Sequence, residues 1–199
     1  MNSATQAGRS SVLGPFPRTL VSAVLLVLLL TFSFSSLRAE TWTGLLTFFE
    51  WMETTWFGYV GKTWGGAFAL IQGGHLVSLG VLGGSVVFSD GRVLGLFSSL
   101  PYRGVIEGAH KVFNWALAVV VATGVFMVCG VAVKVYYLPV FWYKMLTLSV
   151  GVLFAYLIRK PLVDRDPAQV SSLTLRLTAV ASIMVWFTVA ATGRWIGFS

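Results

Sequence analysis

Apolar runs of membrane length alternate along this chain with short polar breaks. A helix needs about 20 consecutive apolar residues to cross a bilayer. Five stretches approach that length, at 19–38, 64–88, 101–133, 141–158 and 173–193. The first, "TLVSAVLLVLLLTFSFSSLR", follows a basic leader holding Arg9 and Arg18. A signal peptide has the same layout, but "SSLRAE" is a poor small-x-small cleavage site, so the run reads as an uncleaved signal anchor. The segment 41–63 breaks the pattern: Glu50, Glu53 and Lys62 lie among Trp42, Trp51 and Trp56, with Trp64 just beyond. Aromatic rings with scattered charge belong at headgroup level. They predict an amphipathic helix lying on the membrane or leading into the second span. Ser89, Asp90, Gly91 and Arg92 read as a polar loop between the second and third spans. Pro101 suits the first turn of the third span, where its missing N–H is not needed. The stretch "RKPLVDRDPAQVSS" ends the fourth, with Ser171 or Ser172 placed to cap the fifth.

The fold class expected is therefore all-α, a polytopic membrane protein with five transmembrane helices. It comprises a leader and signal-anchor helix (1–40), an interfacial aromatic helix (41–63) and a four-helix transmembrane core (64–199). Composition agrees. Hydrophobic residues make up 56% of the 199 and charged residues only 11%, about half the charged share of a soluble domain, so the surplus apolar surface needs lipid to face. The net charge of +7 does not point to nucleic acid, because the basic residues fall between the apolar runs. There they set topology and touch anionic headgroups. With the N-terminus inside, the inner segments carry Arg9, Arg18, Arg92, Arg103, Lys111, Arg159, Lys160, Arg165 and Arg176. The outer ones carry Arg38, Lys62, Lys134, Lys144 and Arg194. That bias predicts an N-terminus on the inner side of the membrane and a C-terminus on the outer side.

Glycine crowds the second span: Gly73, Gly74, Gly80, Gly83 and Gly84. Gly80 and Gly84 form a small-x-x-x-small pair, and Gly73 and Val77 share their side of the helix. Helices in lipid associate through close packing of small residues. This side thus predicts a helix–helix contact, and Gly73, Gly80 and Gly84, with the aromatic faces, are candidate contacts to other membrane-protein subunits. Room for a flat cofactor is a second reading, and both can hold on different faces.

The only histidines, His75 and His110, fall on the second and third spans. Two imidazoles on adjacent antiparallel helices are how membrane b-type cytochromes hold haem, and a neutral imidazole is a good axial ligand. Each needs an acceptor to fix its tautomer. Gln72 and Ser78 lie one turn from His75, and Glu107 and Asn114 one turn from His110. If the second span ends near Val87 and the third begins at Pro101, the two sit about 18 and 14 Å deep, within one turn of each other. If the third begins at Gly104 or Val105, the mismatch grows to about 9 Å or more. The expected cofactor-binding set is His75, His110, Gln72, Glu107 and Asn114, with His75 and His110 as metal ligands. The alternative is that each histidine makes an interhelical hydrogen bond. Arg103 and Glu107, four apart, are spaced to pair. Glu107, His110 and Asn114 share a stripe that could bind a quinone headgroup, relay protons or stand at headgroup level. Met127 and Cys129 are soft ligands, but two residues apart on a helix they point about 200° away from each other. No catalytic residues are assigned: the sequence holds no Ser/His/Asp set, phosphate loop or paired catalytic carboxylates.

The stretch "FFEWMETTWFGYVGKTWGGAFALIQGGHLVSLGVLGGSVVFSDGRVLGLFSSLP" resembles an uncharacterised bacterial inner-membrane family. In that family a tryptophan-rich helix leads into a His-Leu-x-x-Gly span and an Asp-x-Arg-x-Leu-Gly loop. Here His75, Leu76, Asp90, Arg92, Leu94 and Gly95 match, as do Thr123–Gly124 and the "FWYKM" run ending in Lys144 and Met145. The resemblance covers roughly residues 45–160 and implies a four-helix membrane core, similar in look to copper-resistance-D-like and cytochrome-b-like bundles. It implies no particular activity, and His110 departs from its common pattern. The expectation is a membrane electron-transfer subunit or module with haem b between its helices. The alternative is a non-catalytic accessory subunit of a larger membrane complex.

Overall fold

The computed structural model describes residues 37–165 and 169–198, together with Val24, Val27, Leu28 and Thr31. The expected span at 19–38 lies almost wholly outside them. The chain divides into two compact units, 1–47 and 48–199, and the second holds the helical bundle. The described elements are α1 (Leu37–Thr54), α2 (Trp56–Thr63), α3 (Gly65–Leu94), α4 (Tyr102–Gly130), α5 (Ala132–Tyr136) and α6 (Pro139–Leu153). A π-helical turn (Phe154–Arg159), α7 (Lys160–Val163), α8 (Ser172–Trp195) and a closing 3₁₀ turn (Ile196–Phe198) complete them. No strand occurs among the described residues. Four segments are long and apolar enough to cross a membrane: Gly65–Leu94, Tyr102–Gly130, Pro139–Val163 and Ser172–Phe198.

These four form one bundle in which α3 packs against α4 and α8, and α8 also packs against α6. Leu82, Val86, Phe113, Ala116, Ala155, Trp186 and Val189 make its core. Phe113 and Trp186 meet edge to face, with centroids 5.1 Å apart. Large apolar side chains also point outward, Leu70, Trp115 and Phe187 among the most exposed. That pattern suits a lipid exterior.

The segment leading into the bundle is two helices rather than one. Thr55 ends α1 in extended backbone, and its side-chain oxygen accepts the Gly58 N–H at 3.2 Å, capping α2. Phe49 is buried among Tyr136, Phe141 and Trp142, with centroids 5.5, 6.0 and 5.8 Å away. Trp51 and Trp56 face outward. Glu53, which reads as a headgroup-level charge, instead ties two elements together. It pairs with Lys62, and its other oxygen accepts the Val133 N–H at 2.8 Å, a free donor in the first turn of α5. Burial works to raise this carboxyl, but the Lys62 hydrogen bond, the Val133 N–H and the Lys62 charge outweigh it and hold it below the ordinary range.

The expected loop at Ser89–Arg92 is helix. The α3 helix continues to Leu94 and stops at Gly95, whose φ of 98° is left-handed. The Gly95 N–H reaches the Arg92 carbonyl at 3.3 Å and the Leu96 N–H the Gly91 carbonyl at 2.9 Å. That pair of bonds is a Schellman stop, which glycine makes without a Cβ penalty. Arg92 then closes the connection by donating to the Leu100 carbonyl at 3.0 Å.

Candidate functional site

Ionic groups survive inside a bilayer bundle when they satisfy one another. Asp90 is completely buried on the last turns of α3, and Arg159, 8% exposed, faces it from the π-helical turn. Arg159 Nε donates to Asp90 Oδ1 at 2.7 Å, its Nη2 lies 2.6 Å from the same oxygen, and it also donates to Ser89 Oγ. The π turn is where the α6 helix changes register, directly before Pro161, which supplies no N–H to the preceding turn. Next to this pair is a cavity of about 20 Å³ lined by Ser85, Ser89, His110, Arg159, Ser182 and Trp186, among others. That is room for one water molecule. Ser182 Oγ, Trp186 Nε1 and Asp90 Oδ2 are buried there without a hydrogen bond of ordinary length, and the Ser182 hydroxyl acts on the Asp90 carboxylate. A water bridging Ser182 and Trp186 would satisfy groups that are costly to leave unmade.

A second polar group lies toward the other end of the bundle. His75 is 5% exposed, and its Nδ1 stands 2.8 Å from Thr123 Oγ1. The Thr123 hydroxyl reaches the Val119 carbonyl at 2.6 Å and the Val120 carbonyl at 3.2 Å. A hydroxyl has a single proton to give. With that proton on Val119, Nδ1 is the donor to Thr123, and Nε2 carries the free lone pair. Gly124 supplies the space, because a Cβ there would touch His75 Cε1 at 3.4 Å. The Lys144 ammonium acts electrostatically on the ring from α6. Its Nζ lies against Gly193 on α8, where a Cβ would stand 3.6 Å away. No carbonyl or carboxylate accepts a hydrogen bond from Lys144 among the described residues.

The two histidines do not meet. Thr123, the partner of His75, is 13 residues beyond His110 on the same helix, or about 20 Å along its axis. One iron therefore cannot take both rings, and the depth match expected from the sequence does not hold. It failed because α3 runs past Val87 to Leu94, which carries His75 deeper than a helix ending at Val87 would. Nor do the expected supporting groups gather. Gln72 is exposed, and Thr123, not Gln72 or Ser78, orients His75. Asn114 Oδ1 accepts from Tyr156 Oη at 2.7 Å. His110 stacks on Phe113 (centroids 6.2 Å, planes 10° apart) and meets Tyr156 edge-on, without a hydrogen bond to Glu107 or Asn114. Glu107 is exposed, and the expected Arg103–Glu107 pair is not among the ion pairs of the described residues. No group of three or more His, Cys, Asp or Glu side chains among them could hold a metal ion.

Sequence reasoning missed Arg159, Ser182 and Lys144 as site residues. Asp90, Thr123, Gly124 and Lys144 all fall in motifs matched by the family resemblance, which was the one signal available for them. Comparison with curated proteins and with solved structures finds no match for the chain. Residues 48–199 match the model of a family of unknown function (DUF6644), and the chain belongs to that family.

Proposed function

We propose that this chain is a non-catalytic subunit that assembles with other membrane proteins through the outer face of α3. One observation carries the reading. A Cβ added at Gly73, Gly74, Gly80, Gly83 or Gly84 would meet nothing within 4 Å among the described residues, so none of these glycines serves packing between the described helices. Glycine in a helix interior costs roughly 1 kcal/mol relative to alanine, and in lipid the use for such a face is close approach by another helix. The exposed Trp115 on α4 and Trp56 on α2 are aromatic surfaces of the same unit. The family resemblance supports a bacterial inner-membrane location, and the distribution of Lys and Arg supports a cytoplasmic N-terminus and a periplasmic C-terminus in it. The test is Gly80→Leu with Gly84→Leu. Because both positions are open, the monomer folds. Extracted from its native membrane in mild detergent, the wild-type chain is expected to run within a complex well above its 21.6 kDa mass, and the variant to run free of it. A wild-type chain that leaves its native membrane alone ends this reading.

His75 favours a second reading, membrane electron transfer. A Thr123 hydroxyl that gives its proton to the Val119 carbonyl takes the Nδ1 proton in turn and leaves Nε2 free, the form a metal ligand needs. Of the residues present, His75 alone would hold a b-type haem. A quinone oxygen would find a donor in Lys144 instead. Haem would supply one-electron chemistry; the chain's own part is to orient the imidazole through Thr123 and to seat it over Gly124. On this reading the purified complex shows a Soret band that His75→Ala abolishes and His110→Ala leaves in place. A colourless complex retires haem.

A further inference from the structure

Where α2, the start of α3 and the end of α4 converge, the surface opens into a groove of about 490 Å³, lined among others by Gly61, Lys62, Phe68, Gly130, Val131 and Lys134. It is a shallow, open feature rather than an enclosed cavity. Its charge is uneven. Glu53 at its edge is committed to Lys62 and to the Val133 N–H. Lys134 is exposed and belongs to none of the ion pairs among the described residues, so the groove carries a net positive charge. Phe68 and Val131 make much of its lining apolar, and Gly61 and Gly130 meet there backbone to backbone. Trp56, Trp64 and Tyr137 stand exposed around the same end of the bundle, which sets it at headgroup depth.

We propose that this groove binds the headgroup phosphate of an anionic phospholipid, with Lys134 as the principal cation, Lys62 beside it, and an acyl chain descending past Phe68 along α3. An apolar lining with a positive rim at this depth matches a molecule with a phosphodiester above and hydrocarbon below. A zwitterionic lipid brings its own cation to the rim and gains less.

The experiment uses the full chain, purified in detergent and titrated with phosphatidylglycerol or phosphatidylcholine, with retained lipid counted by native mass spectrometry. Phosphatidylglycerol is expected to be retained in preference. Lys134→Gln should weaken its retention about five-fold, the effect of one interfacial lysine. Lys134→Arg should preserve it. Lys111→Gln, on a residue outside the groove, should leave it unchanged. Equal retention of the two lipids, or equal loss with Lys111→Gln and Lys134→Gln, overturns the proposal. If millimolar inorganic phosphate displaces the lipid with no preference for the ester, the site belongs to a soluble phosphate compound, and the lipid assignment falls.

Discussion

Asp90→Ala is expected to destabilise the bundle by about 3–5 kcal/mol, the cost of stranding one member of a buried ion pair. Arg159 would then hold a full charge among Ser85, Ser182, Trp186 and Phe113, with only Ser89 Oγ left to accept from it. Arg159→Met should cost a similar amount by leaving the carboxylate alone. Arg159→Lys keeps the charge but loses the fork that reaches both Asp90 and Ser89, and should fall between the wild type and Arg159→Met. The informative variant is the double one. Asp90→Leu with Arg159→Met removes both charges, and replacing a whole buried pair with apolar groups is often neutral or stabilising. Thermal unfolding in detergent, followed by circular dichroism, should show both single variants melting early and the double variant recovering most of the loss. If each single variant melts with the wild type, Asp90 and Arg159 do not depend on each other.

This pair also shows how far the sequence could be read. The four spans were legible because twenty-residue apolar runs are a strong local signal, and the structure ends them within several residues of the expected limits. Ser89–Arg92 was misread because polarity in a linear pattern looks like a loop. Nothing local reveals that Asp90 is satisfied by Arg159, 69 residues away. The tie between His75 and Thr123, 48 residues apart, was hidden for the same reason. Depth arguments for the histidines then inherited the error in the end of α3. A shift of seven residues at one terminus, from Val87 to Leu94, is about 10 Å of rise, enough to turn an apparent match into two separate sites.

Glycine carries a similar lesson. The small-x-x-x-small pattern drew attention to α3, yet the close approaches inside the chain use other glycines. Gly124 lies under His75, and Gly151 faces Val185, Trp186 and Val189. Motif spacing identifies a helix face suited to contact, but whether that contact is within the chain depends on which helix the topology brings beside it. In this bundle the topology places α4 and α8 against the buried side of α3, where Leu82, Val86 and Asp90 lie. No described residue meets a Cβ added on the glycine side.

Gly61 and Gly130 meet backbone to backbone between α2 and α4, and Gly61→Ala is expected to cost about 1–3 kcal/mol, the usual penalty for forcing volume into a packed interface. An added Cβ at position 61 would stand 2.8 Å from the Gly130 Cα and 3.4 Å from its nitrogen. The obstacle is backbone, so no side-chain rotation relieves it. In the reverse direction, a Cβ at position 130 would meet the Gly61 Cα at 3.2 Å and its carbonyl carbon at 3.3 Å, so Gly130→Ala should cost less. Relief in either case requires α2 to lift from the end of α4, which strains the Glu53–Val133 tie. The accompanying loss should register as faster proteolysis within 55–64 while the bundle core keeps its helical signal. Gly73→Ala is the control: its Cβ enters open space, and alanine favours helix by up to about 1 kcal/mol, so that variant should be as stable as the wild type or more so. Equal stability of Gly61→Ala and Gly73→Ala would mean that α2 is not held against α4 by this backbone contact.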